Sequence, residues 1–341
     1  MLENIFFGTY TKKISQGIYQ ATLNTDTKTI SKPELLIAVN NPTYLTTTNN
    51  QLFTICKQDD HGGIASYSKD TTQLYTLNNK VLQAGAPPCY VSFDKQRNLV
   101  YTANYHTAEV LIYQLHPNNT LTLHQSISHS GSGPRPEQQS SHLHYADLTP
   151  DNRLVALDLG ADQLLTYNFD NNQKALLNNV LTFPAGFGPR HLVFHPNQQI
   201  AYVVGELSSQ VATLKYNPQN GSFSILDIQT TIPNEYHDFN GAAAIKISHN
   251  QQHLYISNRG FNSIACFKIE SDASLQLIHQ TTTSIDFPRD FALDATDQFL
   301  VVANQNDNTI SLFERNPVSG KLTLIQDNIH LPEGVCVKFV N

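Results

Sequence analysis

Apolar and polar residues alternate along most of this chain, and the alternation keeps restarting. From Tyr90, YVSFDKQRNLVYTANYHTAEVLIYQL runs through an alternating strand, a polar turn, a second β-rich strand, a short polar loop and a third strand. The pattern recurs in HYADLTPDNRLVALDLGADQLLTYNF from His144 and HLVFHPNQQIAYVVGELSSQVATLKY from His191. It recurs again in AAIKISHNQQHLYISNRGFNSIACFKI from Ala243 and DFALDATDQFLVVANQNDNTISLFER from Asp290. A fourth strand usually follows, as in NTLTLHQSI and GKLTLIQDN. YLTTTNNQLFTICKQ from Tyr44 is a weaker copy, and GVCVKFV from Gly334 is the first strand of one more. Period-two alternation rich in Val, Ile, Tyr, Phe and Thr is strand chemistry, and turns such as HPNQQ and TPDNR mark hairpins. No sustained helical periodicity competes.

Seven first strands, roughly 45–55 residues apart, predict an all-β fold, a seven-bladed β-propeller of four-stranded antiparallel blades. The last copy stops after one strand, and the chain begins with what that copy lacks: NIFFGTYT, GIYQATLN and KPELLIAV. The ring is therefore expected to close by pairing the C-terminal strand with the N-terminal strands, which removes two sheet edges that would invite aggregation. Residues 1–341 are read as a single domain. The chain has no Trp, so the WD dipeptide of one propeller class is absent, and kelch-type diglycine signatures are missing too, although Gly62-Gly63 occurs once.

Composition narrows the partners. A hydrophobic content of 40% suffices for a packed core, and a net charge of −7 with only 21 Lys and Arg argues against nucleic acid. No stretch approaches the roughly 18 apolar residues of a membrane helix. MLENIFFGTY lacks the basic region and long apolar run of a signal peptide, so a cytoplasmic location is expected. Cys56, Cys89, Cys266 and Cys336 are scattered without a CxxC and read as reduced, buried thiols.

The unusual residues fall at one place in each repeat. In an up-and-down blade the first strand starts on the face where the second strand ends. His142, His144, Arg190, His191, Arg289 and Asp290 lie at or just before first-strand starts. Asn104, Glu206, Asn258, Arg259 and Asn304 lie at or near second-strand ends. Since first strands line the central channel of a propeller, these residues are expected to ring one of its mouths. Convergent polar groups in a dry funnel form a small-molecule site. Two or three arginines there suit an anionic ligand, because guanidinium matches carboxylate or phosphate bidentately. A nearby glutamate and histidine add acid/base capacity.

Each candidate also has a structural reading. Arg190 and Arg259 can bond loop carbonyls or acids, and Glu206 can serve as an arginine's partner. His144 can be a packing histidine, His195 belongs to its turn, and Asn104, Asn258 and Asn304 suit loop capping. His142 and His144 share one side of a strand, but without a third ligand they are a weak metal signal. Asp59, Asp60 and His61 read as a solvated loop. No GxSxG, phosphate loop or dinucleotide fingerprint occurs. A protein without metal or other cofactor is expected.

At these residues the chain resembles the seven-bladed propeller lactonase family, which includes the propeller type of 6-phosphogluconolactonase and the fungal carboxymuconate cycloisomerase. The resemblance covers nearly the whole chain and rests on FFGTYT, NPTYL, YTANY, GFGPRHLVFHP, GELSS, YISNRGFNSIACF and FPRDFALD taken together. It matches the family's functional histidine to His144. The arginine of its GPRH motif corresponds to Arg190, its glutamate to Glu206, the arginine of its SNRG motif to Arg259, and the PRD arginine to Arg289. The chain departs from the family at Gln138, where an Arg is common, at His106, often a Gly, at Tyr90, often a His, and at Gly205, usually an Asn.

The resemblance implies hydrolysis of 6-phospho-D-glucono-1,5-lactone. Water attack needs a base and oxyanion stabilisation. Glu206 or His144 would be the base, and Arg190, Arg259 and Arg289 would hold phosphate or oxyanion. His142, His191 and Asn104 are further expected substrate contacts. A lactonising enzyme acting on a carboxymuconate-like polyacid is a second reading, and a non-catalytic binding module a third, because propellers keep the fold while changing chemistry. Oligomeric state is not legible in the sequence.

Overall fold

The computed structural model describes residues 1–71 and 74–340. Its described residues form seven antiparallel sheets, six of which follow chain order from first strand to last. The second blade runs Leu45–Thr47, Gln51–Gln58, His61–Lys69 and Tyr75–Ala84. The third runs Tyr90–Asp94, Leu99–Asn104, Glu109–Leu115 and Leu121–Ser128. The fourth comprises Leu143–Leu148, Leu154–Asp158, Gln163–Phe169 and Ala175–Thr182, and the fifth Pro189–Phe194, Ile200–Gly205, Gln210–Asn217 and Ser222–Thr230. Gly241–Ile247, His253–Arg259, Ser263–Ile269 and Leu275–Thr281 make the sixth. Pro288–Leu293, Phe299–Asn304, Thr309–Arg315 and Leu322–His330 make the seventh. All seven expected first strands are present, the weak copy being a strand of three residues. The fold is the expected seven-bladed propeller of four-stranded blades.

The remaining sheet closes the fold. Gly334–Val340 pairs with Leu2–Thr9 from Asn4↔Val340 to Thr9↔Gly334, and Leu2–Thr9 pairs in turn with Gly17–Asn24. The outer strand is broken into Thr29–Ile30 and Glu34–Ala38, both on Gly17–Asn24. Pro33 lies in the gap; proline has no N–H for a ladder and is tolerated at an edge. The one helical element among the described residues is a 3-10 turn, Pro136–Gln138, which periodicity did not foretell.

The chain packs as two compact units. One is built from residues 1–38, 191–215 and 225–341, the other from 39–190 and 216–224. In the first, Ile5, Phe7, Leu23, Phe299, Val301, Leu312 and Val337 share one core. In the second, Phe53, Ile55, Ile64, Val91, Val100, Leu111 and Tyr113 do the same. Cys56, Cys266 and Cys336 are buried thiols outside any disulfide, and Cys89 is a half-buried one. Burial pushes the Cys56 and Cys266 thiols up to about 11 and 12, so they stay protonated and inert.

Two carboxylates fasten the closing strand. Asp290, buried, accepts the Val337 amide at 2.9 Å. Glu333, just before that strand, accepts the backbone amides of Lys12, Lys13, Ile14 and Ser15 at 2.9–3.2 Å. Burial raises the Glu333 carboxyl pKa, but the four amides outweigh it and hold the group below its ordinary 4.5. A depressed carboxyl stabilises the fold above its unfolded pKa and loses that effect as pH falls through the folded value. Glu333→Gln should therefore cost roughly 1–3 kcal/mol near neutral pH. The difference in melting temperature from wild type should shrink as pH is lowered below 4.5. A difference independent of pH would contradict this role. The reading of residues 1–341 as one domain is proposed here, and it expects each of these melts to be a single transition.

Candidate active site

Within the sheets, hydrogen-bond register brings first-strand starts beside second-strand ends: Gly241 faces Arg259, Pro288 faces Asn304, and Leu143 faces Asp158. The candidate residues sit at these junctions, and they form a group in each unit.

In the first unit Arg259, 7% exposed, ends the strand His253–Arg259. Its Nη2 lies 2.8 Å from Oε1 of Glu206, off the line of its N–H bonds, and Glu206 keeps 20% of its side chain exposed. Arg259 Nε donates to the Gly241 carbonyl at 3.2 Å, and its guanidinium lies 5.7 Å from the Phe287 ring centroid. A Cβ at Gly241 would stand 3.1 Å from Arg259 Nη2 and 3.7 Å from Glu206 Cγ, so glycine leaves the room the pair occupies. The Ala242 amide donates to the Glu206 carbonyl, which ties the turn after Ile200–Gly205 to the next blade. Arg289, two residues beyond Phe287, lies over the Tyr10 ring at 5.8 Å. His191, in the same unit, is buried.

In the second unit Tyr105 gathers the histidines. His142 stacks on its ring at 4.1 Å between centroids and 6° between planes, and bonds the Tyr105 carbonyl through Nδ1 at 2.6 Å. His144, buried, and His106, exposed, approach the same ring edge-on. Desolvation, then the nearby His142, lowers the His106 pKa, so its imidazole is neutral near pH 7. Asn104 spends its groups on its own loop: Nδ2 donates to the Ala86 carbonyl, and Oδ1 accepts the His106 and Thr107 amides. Asn258 and Asn304 likewise bond loop partners, which agrees with their capping reading. His195 accepts the Asn197 amide within its turn.

The turn that delivers Arg190 is built around Asp162. Gly186 and Gly188, at φ 83° and 64°, donate their amides to the two Asp162 oxygens at 2.7 Å. Those backbone angles suit glycine and few other residues. Gln138, fully buried, donates to Asp162 at 2.7 Å, and Arg135 Nε donates to the Gly186 carbonyl. Phe183 and Phe187 stack across the turn at 4.6 Å. The chain then enters Pro189–Phe194, with Arg190 buried at its second position. Gln138 thus serves Asp162 by hydrogen bonding, without the charge that an arginine would bring. A second departure, Tyr90, is also structural: its ring packs between those of Tyr44 and Tyr145, tilted to both, and its hydroxyl donates to Asp147.

Several of these residues were not singled out from sequence. Phe287 and Tyr105 gave no periodic signal, because their roles come from contacts across loops. Asp162 gave no local signal either, because the glycine amides it accepts lie 24 and 26 residues further along the chain. Among the described residues no group of three or more His, Cys, Asp or Glu is arranged to hold a metal ion. A cleft of about 1120 Å³ at the other strand ends of the second and third blades, lined in part by Lys69, Phe93, Lys95 and His116, includes none of the candidates. Asp162→Ala would strand the amides of Gly186 and Gly188, at roughly 1–3 kcal/mol for each buried group left unsatisfied, while Gln138 keeps its bond to the Leu159 carbonyl. Urea unfolding should show a large fall in midpoint with an unchanged slope; a midpoint within error of wild type would refute the clamp.

The chain has wide similarity to known proteins. Residues 4–339 match the family model described as "Lactonase, 7-bladed beta-propeller". A Bacillus subtilis protein named 6-phosphogluconolactonase is 39% identical, with 98% of each chain covered. The crystal structure of a Lactobacillus plantarum protein is 50% identical and superimposes with a TM-score of 0.97 over the whole of both chains. A Pseudomonas aeruginosa periplasmic gluconolactonase is 28% identical, with a TM-score of 0.94 over 100% of this chain and 99% of that one. With the match running through every blade and through both groups of site residues, the chain belongs to the lactonase family of seven-bladed β-propellers, enzymes that hydrolyse the ester of a lactone ring.

Proposed function

We propose that this protein is a 6-phosphogluconolactonase, converting 6-phospho-D-glucono-1,5-lactone to 6-phosphogluconate in the cytoplasm. The observation that carries the reading is the Glu206–Arg259 pair, a partly exposed carboxylate against a buried guanidinium. The name of the 39% identical Bacillus subtilis relative supports the substrate.

In this reading Glu206 takes a proton from water as the water oxygen attacks the lactone carbonyl carbon. Arg259 meets the oxyanion as negative charge grows on the carbonyl oxygen, where a preorganised cation in a water-poor site has its largest effect. The bond from that carbon to the ring oxygen then breaks, and the departing oxygen takes a proton from His144 or from solvent. The products are the open-chain carboxylate and one released proton. A substrate carrying both a phosphate and a developing oxyanion needs more than one cation, which gives Arg190 and Arg289 their place. His142, His191 and Asn104 are proposed to serve the same substrate, with Asn104 acting through its loop. No metal or cofactor takes part in this scheme. The substrate is a small anion, with no nucleic acid or membrane partner.

A second reading is the unphosphorylated lactone, favoured by likeness to the periplasmic gluconolactonase. The discriminating assay uses 6-phosphogluconolactone generated in situ and gluconolactone, with spontaneous opening subtracted, for wild type and Arg190→Ala. The proposal expects faster wild-type turnover of the phosphorylated lactone. It also expects about a tenfold or larger loss in Arg190→Ala on that substrate, the scale of one charge-assisted hydrogen bond. Equal loss on both lactones would take Arg190 off the phosphate, and preference for gluconolactone would support the second reading.

A further inference from the structure

One aromatic residue sits where aromatic residues are rarely found. Twenty non-glycine residues among those described have positive φ, and most are Asn, Asp, Gln, Lys or Ser in turns. Phe287, at φ 51°, is the single aromatic one among them, and no β-branched residue joins it. A bulky side chain in this region is a steric outlier, and a residue before proline, as Phe287 is before Pro288, prefers extended backbone.

The surroundings hold it there from both sides. Asn262 Oδ1 accepts the Phe287 amide at 3.0 Å, and the Gln305 amide points to the Phe287 carbonyl at 3.4 Å. Asn262 Nδ2 also binds Asp286, and Asn304 Oδ1 accepts the Asp286 amide. An asparagine or glycine at position 287 would fit this backbone with less strain than an aromatic residue. Nothing in the turn itself calls for a ring. The ring's distinguishing contact is the Arg259 guanidinium, at 5.7 Å. Arg259 is thereby bounded by Glu206, by the Gly241 carbonyl, and by the Phe287 ring.

We propose that Phe287 is a positioning residue: its strained turn is kept because it sets an aromatic face against Arg259 and fixes the direction in which that guanidinium meets the lactone. Strained backbone maintained by over-determined surroundings is characteristic of functional sites. A cation held against an aromatic face keeps its charge while losing freedom of direction. The inference rests on the reading of Arg259 as a group of the reaction site.

The test uses Phe287→Ala, Phe287→Asn and Phe287→Tyr, each alone and with Arg259→Ala, assayed on both lactones and melted. Strain predicts that Phe287→Asn melts above Phe287→Ala, since Asn accepts positive φ and Ala does not. Positioning predicts that both lose about tenfold in whichever of kcat and KM Arg259→Ala affects, that Phe287→Tyr restores it, and that Phe287→Asn adds nothing once Arg259 is gone. A Phe287→Asn enzyme with wild-type kinetics would overturn the proposal and leave the lactonase reading standing. Additive losses in the double variant would overturn it too, as would loss of the native melt in both Ala and Asn variants, which would make the ring a packing residue. Absence of turnover by wild type on either lactone would bring down the functional reading and this inference with it.

Discussion

Antiparallel pairing of the first two strands of a blade decides which residues can meet at the strand ends. Gly241 and Arg259 are cross-strand partners, as are Leu143 and Asp158, and Pro288 and Asn304, each pair lying one bulge beyond the register its hairpin sets. A slip of one residue would turn every side chain to the other face of its sheet. Between the end pair Gly241–Arg259 and the core pair Ile245–Ile256 the register shifts by one residue, so a β-bulge re-aims the start of the first strand against Arg259. The same shift separates Leu143 from Tyr145 and Pro288 from Asp290, so core packing and site geometry meet at a bulge in each of these blades.

What the register leaves loose, short polar contacts tighten. Asp162 gathers two glycine amides and the Gln138 amide, and the turn it makes leads straight to Arg190. Asn262 and Asn304 hold the turn that carries Phe287. These side chains never need to touch a substrate. Each satisfies backbone groups that a buried loop would otherwise leave unpaired, and the loop's direction follows from where the acceptor stands. Arg190 and Arg259 are buried, and Arg289 is half-buried. Arg259 has a carboxylate at 2.8 Å that remains partly open to solvent, so the pair can exchange water for a ligand without first uncovering a dry ion pair.

The blade count, the strand starts and the closing strand were legible in the sequence, because period-two alternation survives every substitution that keeps a strand half-buried. The broken outer strand was legible only in part: Pro33 was visible, but its effect on pairing depends on that strand being an edge. Arg259, Glu206 and Arg190 stood out because charges interrupt apolar strand ends, and the sequence already offered an arginine as Glu206's partner. The assignment of Asn258 and Asn304 to loop capping came from their repetition at equivalent strand ends. Phe287 was hidden, since backbone angle is not written in residue type and a phenylalanine before proline reads as extended chain. Tyr105 was hidden for another reason: its stack on His142 joins two blades, and no local pattern encodes a contact between residues 37 positions apart.

The central claim is that Glu206, held against Arg259, supplies the base for lactone opening. The most direct measurement is kcat of Glu206→Gln on 6-phosphogluconolactone with spontaneous hydrolysis subtracted, in protein whose melt matches wild type. Loss of a general base predicts a fall of about two to four orders of magnitude in kcat with KM little changed. A Glu206→Gln enzyme that keeps wild-type kcat would contradict the account.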